Sequence, residues 1–261
     1  MPMPGVVLDD LGTFQTVDST PNGFPSFPDV PPGTDTPFVT PSDTFAPDTA
    51  KPPPADAGPP DAGPPPPVDA GPKPDHPLWD FDDVKVGALP GDFTKVLGTW
   101  ASAAEPTAPS KPNVLRQTGA VGTSEYPRVV AGGPTYHNLS VRVKCRMESG
   151  FTDQACGLMV RVQPMADDNY YVARANALEG NVRLYRVLSG DRQQIGSATA
   201  STDANTWHTL TITAMDTTLT VSWDGDEVIS VTDTSYASGR VGLWTKADSV
   251  TAFDDLEVFP K

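Results

Sequence analysis

From Pro77 onward the chain runs in short stretches of alternating apolar and polar residues, broken about every 8 to 12 residues by Gly, Asp, Asn or Pro. That is the period-2 rhythm of strands with one buried face. Leu139, Val141, Val143, Cys145 and Met147 make one apolar face while Arg142, Lys144 and Arg146 fall on the other, because successive side chains of a strand point to opposite sides of its sheet. Cys156, Leu158, Val160 and Val162 repeat the pattern against Met159 and Arg161. Further strands are predicted over 79–84, 206–214, 218–223, 227–231, 240–246 and 252–259, and no window of a dozen residues carries a helical stripe. At Trp223-Asp224-Gly225-Asp226 an Asp-Gly pair between two alternating runs supplies the positive φ of a tight hairpin. Glu179-Gly180-Asn181 and Ser189-Gly190-Asp191 read as looser versions of the same turn. About thirteen short strands exceed what an immunoglobulin sandwich uses and predict an all-β, two-sheet antiparallel jelly-roll sandwich over residues 78–261.

Residues 1–77 have a different character. They hold 22 of the 30 prolines, and Phe14, Phe24, Phe27, Phe38 and Phe45 are scattered without a sustained period. Such a segment buries too little apolar surface to offset its conformational entropy, so a disordered tail is expected. Asp-Ala-Gly-Pro occurs three times, from Asp56, Asp61 and Asp69, with Pro64 to Pro67 as a rigid insert; extended polyproline II and mutual repulsion of like charges make it a spacer. The stretch resembles the Pro/Ala/Gly/Asp spacers of bacterial surface lipoproteins, which implies display of the domain at the cell surface or outside the cell. Met1-Pro2-Met3-Pro4-Gly5 lacks the basic start and apolar run of a secretory signal, so an export signal is expected to lie outside this sequence.

Charge narrows the function. The formal charge is −15; before Leu78, 11 Asp face only Lys51 and Lys73. Nucleic acid is not an expected partner, because the phosphate backbone needs a basic surface. No stretch approaches the roughly 18 apolar residues of a membrane span. Cys145 and Cys156, the only cysteines, flank a predicted hairpin turn at Ser149-Gly150. Two readings stay open: a disulfide, which fits an oxidising compartment, or two buried neighbouring thiols.

The succession Gly157-Leu158-Met159-Val160-Arg161, Asp168-Asn169-Tyr170-Tyr171, Asn181-Val182-Arg183-Leu184-Tyr185, Trp207-His208-Thr209-Leu210, Trp223-Asp224-Gly225, Gly239-Arg240-Val241-Gly242-Leu243 and Phe253-Asp254-Asp255-Leu256 resembles the concanavalin A-like lectin/glucanase superfamily. Within it the likeness is to the laminin-G-like and 3-keto-disaccharide-hydrolase-like branch. The resemblance spans Trp79 to Phe259 and implies two curved antiparallel sheets with the first and last strands as neighbours. It does not imply one activity, because the fold hosts lectins, glycosidases and adhesion modules.

Catalysis finds little support in the residues. A retaining glucanase of this superfamily would show a Glu-x-Asp-x-(x)-Glu strand, since nucleophile and acid/base must lie about 5 Å apart; none is present, and Glu105, Glu125, Glu148, Glu179 and Glu227 fall mostly in predicted turns or loops. His76, His137 and His208 have no nucleophile motif beside them. Asp82-Asp83, Asp167-Asp168 and Asp254-Asp255 are candidates for Ca²⁺, but adjacent strand residues face opposite ways and read first as solvated charges. No cofactor is otherwise expected.

One constellation points to binding. With Val160, Val162, Tyr171, Ala173, Val182 and Leu184 facing the core, Arg161, Tyr170, Arg174, Asn176, Arg183 and Tyr185 share the opposite face, and Trp244 and Lys246 alternate in the same sense on their own strand. Flat aromatic surfaces stack on the apolar side of a pyranose, while guanidinium and amide donors bond its hydroxyls or an acidic group. The expected function is a non-catalytic extracellular carbohydrate-binding module; the alternatives are a 3-keto-disaccharide-type glycoside-processing enzyme and a structural surface protein that contacts other proteins. An ordinary exposed face stabilised by cross-strand Arg–Tyr stacking has the same residues.

Overall fold

The computed structural model describes residues 75–261, together with the backbone of two short upstream strands. Contacts divide the chain into Met1–Pro66 and Pro67–Lys261. In the first unit β1 (Val6–Leu8) pairs antiparallel with β2 (Phe14–Thr16); the expected tether of 1–77 otherwise lies outside the described residues up to Asp75.

In the second unit the alternating runs become fifteen strands: β3 (Leu78–Trp79), β4 (Thr94–Leu97), β5 (Trp100–Ala104), β6 (Asn113–Gln117), β7 (Arg128–Val130), β8 (Leu139–Ser149), β9 (Ala155–Val162), β10 (Tyr170–Asn176), β11 (Asn181–Leu188), β12 (Asp191–Thr199), β13 (His208–Met215), β14 (Thr218–Trp223), β15 (Asp226–Thr232), β16 (Arg240–Trp244) and β17 (Val250–Pro260). A seven-stranded sheet runs β12-β11-β10-β9-β16-β7-β4 and an eight-stranded one runs β15-β14-β13-β8-β17-β6-β5, with β3 also on β17. Every pairing is antiparallel. The first and last strands of the domain are neighbours, Trp79 opposite Leu256. The fold is a jelly-roll sandwich.

The inter-sheet core is built from the apolar halves of the alternating runs. Val141, Val143, Met147, Leu210, Ile212 and Val258 from one sheet meet Leu158, Val160, Tyr171, Ala173, Leu184 and Leu243 from the other. The β14–β15 hairpin closes with two residues, Asp224 and Gly225, at φ 52° and 94°, the positive values a type I′ turn needs. Ser189 and Gly190, at φ 49° and 81°, close β11–β12 in the same way.

Three local expectations are corrected. The predicted strand over 79–84 stops at Trp79, because the Asp80 carboxylate accepts the Asp82 amide and Phe81 turns to φ 62°, which drops its ring into the core. β8 and β9 are not a hairpin. They belong to opposite sheets, so Ser149-Gly150 begins an arch, and Cys145 and Cys156 are bonded across the sandwich with Cα atoms 6.3 Å apart. The inward set Val160, Val162 is the third: Arg161 has φ 53° where the β9–β16 register shifts. The bulge carries Val162 to the outer face with Met159 and Tyr170, as an unpaired extra residue re-aims the side chains that follow.

Candidate functional site

The outer face of the seven-stranded sheet carries the Arg and aromatic residues singled out by alternation. In register, Tyr185 lies opposite Val172, Arg183 opposite Arg174, Arg174 opposite Gly157, and Gly157 opposite Trp244. Trp244 lies opposite Arg128 on β7, and Val187 opposite Arg192 on β12. This face is not an open platform. Tyr170, Tyr185, Val172, Val187, Met159, Val162 and Trp244 form a second apolar layer, with Tyr126 packed on it. Tyr170 is 1% and Trp244 0% exposed. Gly157 makes room for the indole: a Cβ there would lie 2.7 Å from Trp244 Cε3.

Arginines are threaded through this layer. The Arg192 guanidinium sits 4.2 Å from the Tyr185 ring centre, 4.8 Å from Tyr126 and 5.7 Å from Trp244, and Tyr126 stacks on Trp244 at 5.3 Å. Arg128 lies 5.8 Å from the Tyr170 ring and donates to the Tyr126 carbonyl at 3.1 Å. A cation over a ring face is held by the ring quadrupole, more firmly when water is excluded. Arg174 donates to Asn181 Oδ1 at 2.7 Å and to Glu179 Oε2 at 2.8 Å, and Glu179 also pairs with Arg183 at 3.0 Å. Burial would raise the Glu179 carboxyl, but these donors outweigh it and hold it below its ordinary value. Burial likewise opposes ionisation of Tyr185, yet Arg183, Arg174 and Arg192 hold its phenol below the ordinary value.

Five of the eight sequence-predicted residues therefore meet on one face: Tyr170, Arg174, Arg183, Tyr185 and Trp244. Asn176 stands at the end of that face, 1% exposed and donating to Asp153 Oδ1 at 2.7 Å. Lys246 reaches the same Asp153 at 2.6 Å, so both are engaged in an internal polar cluster. Arg161 is removed by the bulge: it is 1% exposed and donates to the carbonyls of Tyr236 (2.8 Å), His137 (3.1 Å) and Asp216 (2.7 Å), where it ties loops together. Burial pulls its ionisation below the usual guanidinium range.

Sequence reasoning missed Tyr126, Arg128 and Arg192. Arg192 was legible through the tight Ser189-Gly190 turn, whose register sets it opposite Val187. Tyr126 and Arg128 were not, because the β7–β16 pairing joins segments over 100 residues apart in sequence.

The outer face of the eight-stranded sheet is a contrast. There Arg116 pairs with Glu105 (2.8 Å) and Glu148 (3.0 Å), Arg146 with Glu105 and Glu148, Arg142 with Glu257 (2.7 Å) and Lys144 with Asp255 (3.1 Å). Glu257, on β17, adds to the glutamates weighed from sequence. Glu105 and Glu148 are drawn together, but as ligands of two arginines. Burial alone would raise Glu105, whereas its bonds to Arg146 and Thr107 bring it down to about 2, the reverse of what a general acid requires. Asp254 is pushed up to about 7 by burial, yet it is fully enclosed and accepts bonds from the Ser110 amide (2.9 Å) and hydroxyl (2.8 Å). His208 is packed on Trp223 at 4.6 Å and bonded to Asp224 at 2.7 Å. Of the Asp pairs weighed for Ca²⁺, Asp82 accepts the Asn113 amide at 3.0 Å and Asp255 is held by Lys144. Among the described residues no three or more His, Cys, Asp or Glu side chains cluster as metal ligands.

No protein-family model matches the sequence, and no curated protein matches it at a significant level. Solved structures do. Carbohydrate-binding module CBM66 from Bacillus subtilis is similar at 18% identity and TM-score 0.54, over 64% of this chain and 95% of that one. The GH43 protein BlXynB from Bacillus licheniformis is similar at 18% identity and TM-score 0.51, over 70% of this chain and 39% of that one. At such identities the likeness is one of fold: this chain has the two-sheet antiparallel jelly-roll architecture.

Proposed function

We propose that the domain is a non-catalytic carbohydrate-binding module that takes its ligand on the outer face of the seven-stranded sheet. One observation carries this reading: Arg128 and Arg192 lie over aromatic rings on that face and form no carboxylate ion pair among the described residues, whereas the basic residues of the opposite face are neutralised in place. Aromatic surface combined with free guanidinium donors is the equipment of sugar recognition. The carbohydrate-binding neighbour supports the reading at the level of fold. A non-catalytic role is supported by the state of the two carboxylates at the end of this face: Glu179 is clamped by Arg174 and Arg183, and Asp153, which shares the Asn176 amide with it, is held by Lys246. Display outside the cell is supported by the Cys145–Cys156 bond, which an oxidising compartment maintains.

Burial changes which side chains meet the ligand. Tyr170, Trp244 and Arg174 are enclosed, so the ligand meets the half-buried Tyr126, Arg128 and Arg192 first. A glycan array probed with the full chain tests this. Wild type is expected to bind, and Tyr126→Ala and Arg192→Ala to lose binding while melting near the wild-type temperature. Undiminished binding by both variants would sink the assignment of the face.

A further inference from the structure

Some donors of this face lack acceptors, as Arg116 Nε and Arg146 Nε do on the opposite face. Trp244 Nε1, Arg192 Nη1, Arg128 Nε and Arg183 Nε are all buried with no hydrogen-bond partner, although buried polar groups are normally paired and each orphan carries a desolvation cost. All four are donors. Arg128 lies over Tyr170 and opposite Trp244, and Arg192 lies over Tyr126 and Trp244, which stack on each other. Arg174 and Arg183 share Glu179, with Asp153 close by on Asn176 and Lys246, while Arg128 and Arg192 form no carboxylate ion pair among the described residues of a chain of formal charge −15. A local cation excess on an acidic protein focuses attraction on small anions, while the remaining surface repels long polyanions.

We propose that the ligand is an acidic saccharide whose carboxylate is taken by Arg128 and Arg192 at the edge of the Tyr126–Trp244 stack. This deepens, and rests on, the carbohydrate reading of the same face. The planar Arg fork matches a carboxylate with two parallel hydrogen bonds. The half-buried Tyr126 ring, stacked on Trp244, meets the apolar face of the sugar ring. Neutral sugars offer hydroxyls to the same donors and leave both charges unmatched. An extended polyanion such as DNA meets the repulsion of the acidic remainder.

The test is titration calorimetry of the full chain, at about 50 and 300 mM salt, against matched oligosaccharides. These are galacturonate, glucuronate and mannuronate trimers and a sialoside, each with its carboxyl-reduced neutral counterpart, plus a sulfated galactose trimer and a single-stranded DNA 12-mer. The expected result is an acidic member bound at least about tenfold more tightly than its neutral partner. Arg128→Gln and Arg192→Gln are expected to remove that preference, and Arg192→Lys, which keeps the charge but not the fork, to retain part of it. Arg192→Lys also serves if the glutamine variants fold poorly by circular dichroism. Equal binding of acidic and neutral partners overturns the inference and leaves the carbohydrate reading standing. Stronger binding of the sulfated trimer or the DNA overturns the carboxylate assignment. Acidic-sugar binding that survives all three substitutions overturns the site, and the absence of binding to any saccharide overturns the carbohydrate reading with it.

Discussion

Arg161 offers the sharpest test of the structure, because alternation places it on the sugar-binding face and the bulge places it elsewhere. Its guanidinium donates to three carbonyls, at 2.7, 2.8 and 3.1 Å, that belong to separate loops. Arg161→Met keeps most of the side-chain volume and leaves all three acceptors without the charged donor. At the lower end of the cost of an unsatisfied buried acceptor, about 1 kcal/mol each, the loss is about 3 kcal/mol; relief of the guanidinium's own desolvation argues against a larger figure. With a urea slope of about 2 kcal/mol/M, the unfolding midpoint is expected to fall by about 1.5 M. Urea titration followed by tryptophan fluorescence and far-ultraviolet circular dichroism measures it, and glycan affinity of the folded variant is expected to match wild type. A midpoint within about 0.25 M of wild type together with lost glycan binding would refute the reasoning and return Arg161 to the binding face.

Three further outcomes are expected. Opening the Cys145–Cys156 bond, which spans 11 residues, releases unfolded-chain entropy worth about 3 kcal/mol. Protein unfolded, reduced and refolded in reductant should melt about 6–12 °C lower than the oxidised form, and equal melting would contradict a cross-sheet link. Asp254 is raised to about 7 in the folded state, so the native protein holds a proton that the unfolded chain has released, and stability falls as pH climbs from about 4 to about 7. Glu105, Glu179 and Glu257, all held below their ordinary values, act the other way only below about pH 4.5, where protonation removes their ion pairs. Asp254→Asn should therefore flatten the stability profile above pH 5 in chemical denaturation; an unchanged slope there would exclude Asp254 as its source. Gly157→Ala drives a methyl against the Trp244 ring and carbonyl, with an expected cost of about 1–3 kcal/mol and a shift in tryptophan emission. A neutral result would mean that the indole does not rest on Gly157.

Alternation by itself determined most of the fold. Strands such as β8, β14 and β17 follow directly from period-2 runs, because a half-buried strand must present one apolar side, and Asp224-Gly225 marks its hairpin because few residues accept the positive φ of that turn. Five of the eight residues chosen for the binding face share a face for the same local reason. What the period-2 rule lacks is knowledge of sheet membership and of breaks in the pleat. It cannot tell that β8 and β9 cross from one sheet to the other, which turned an expected hairpin into an arch bridged by a disulfide, nor that one residue at φ 53° reverses everything after Val160. It also reads any polar-looking face as open to water. Only the tertiary structure showed that Tyr126, brought in from a distant segment, stacks on Trp244 beneath the same Arg192 that covers Tyr185, because burial depends on what lies across the sheet and strand neighbours such as β7 and β16 are set by long-range pairing rather than by local pattern.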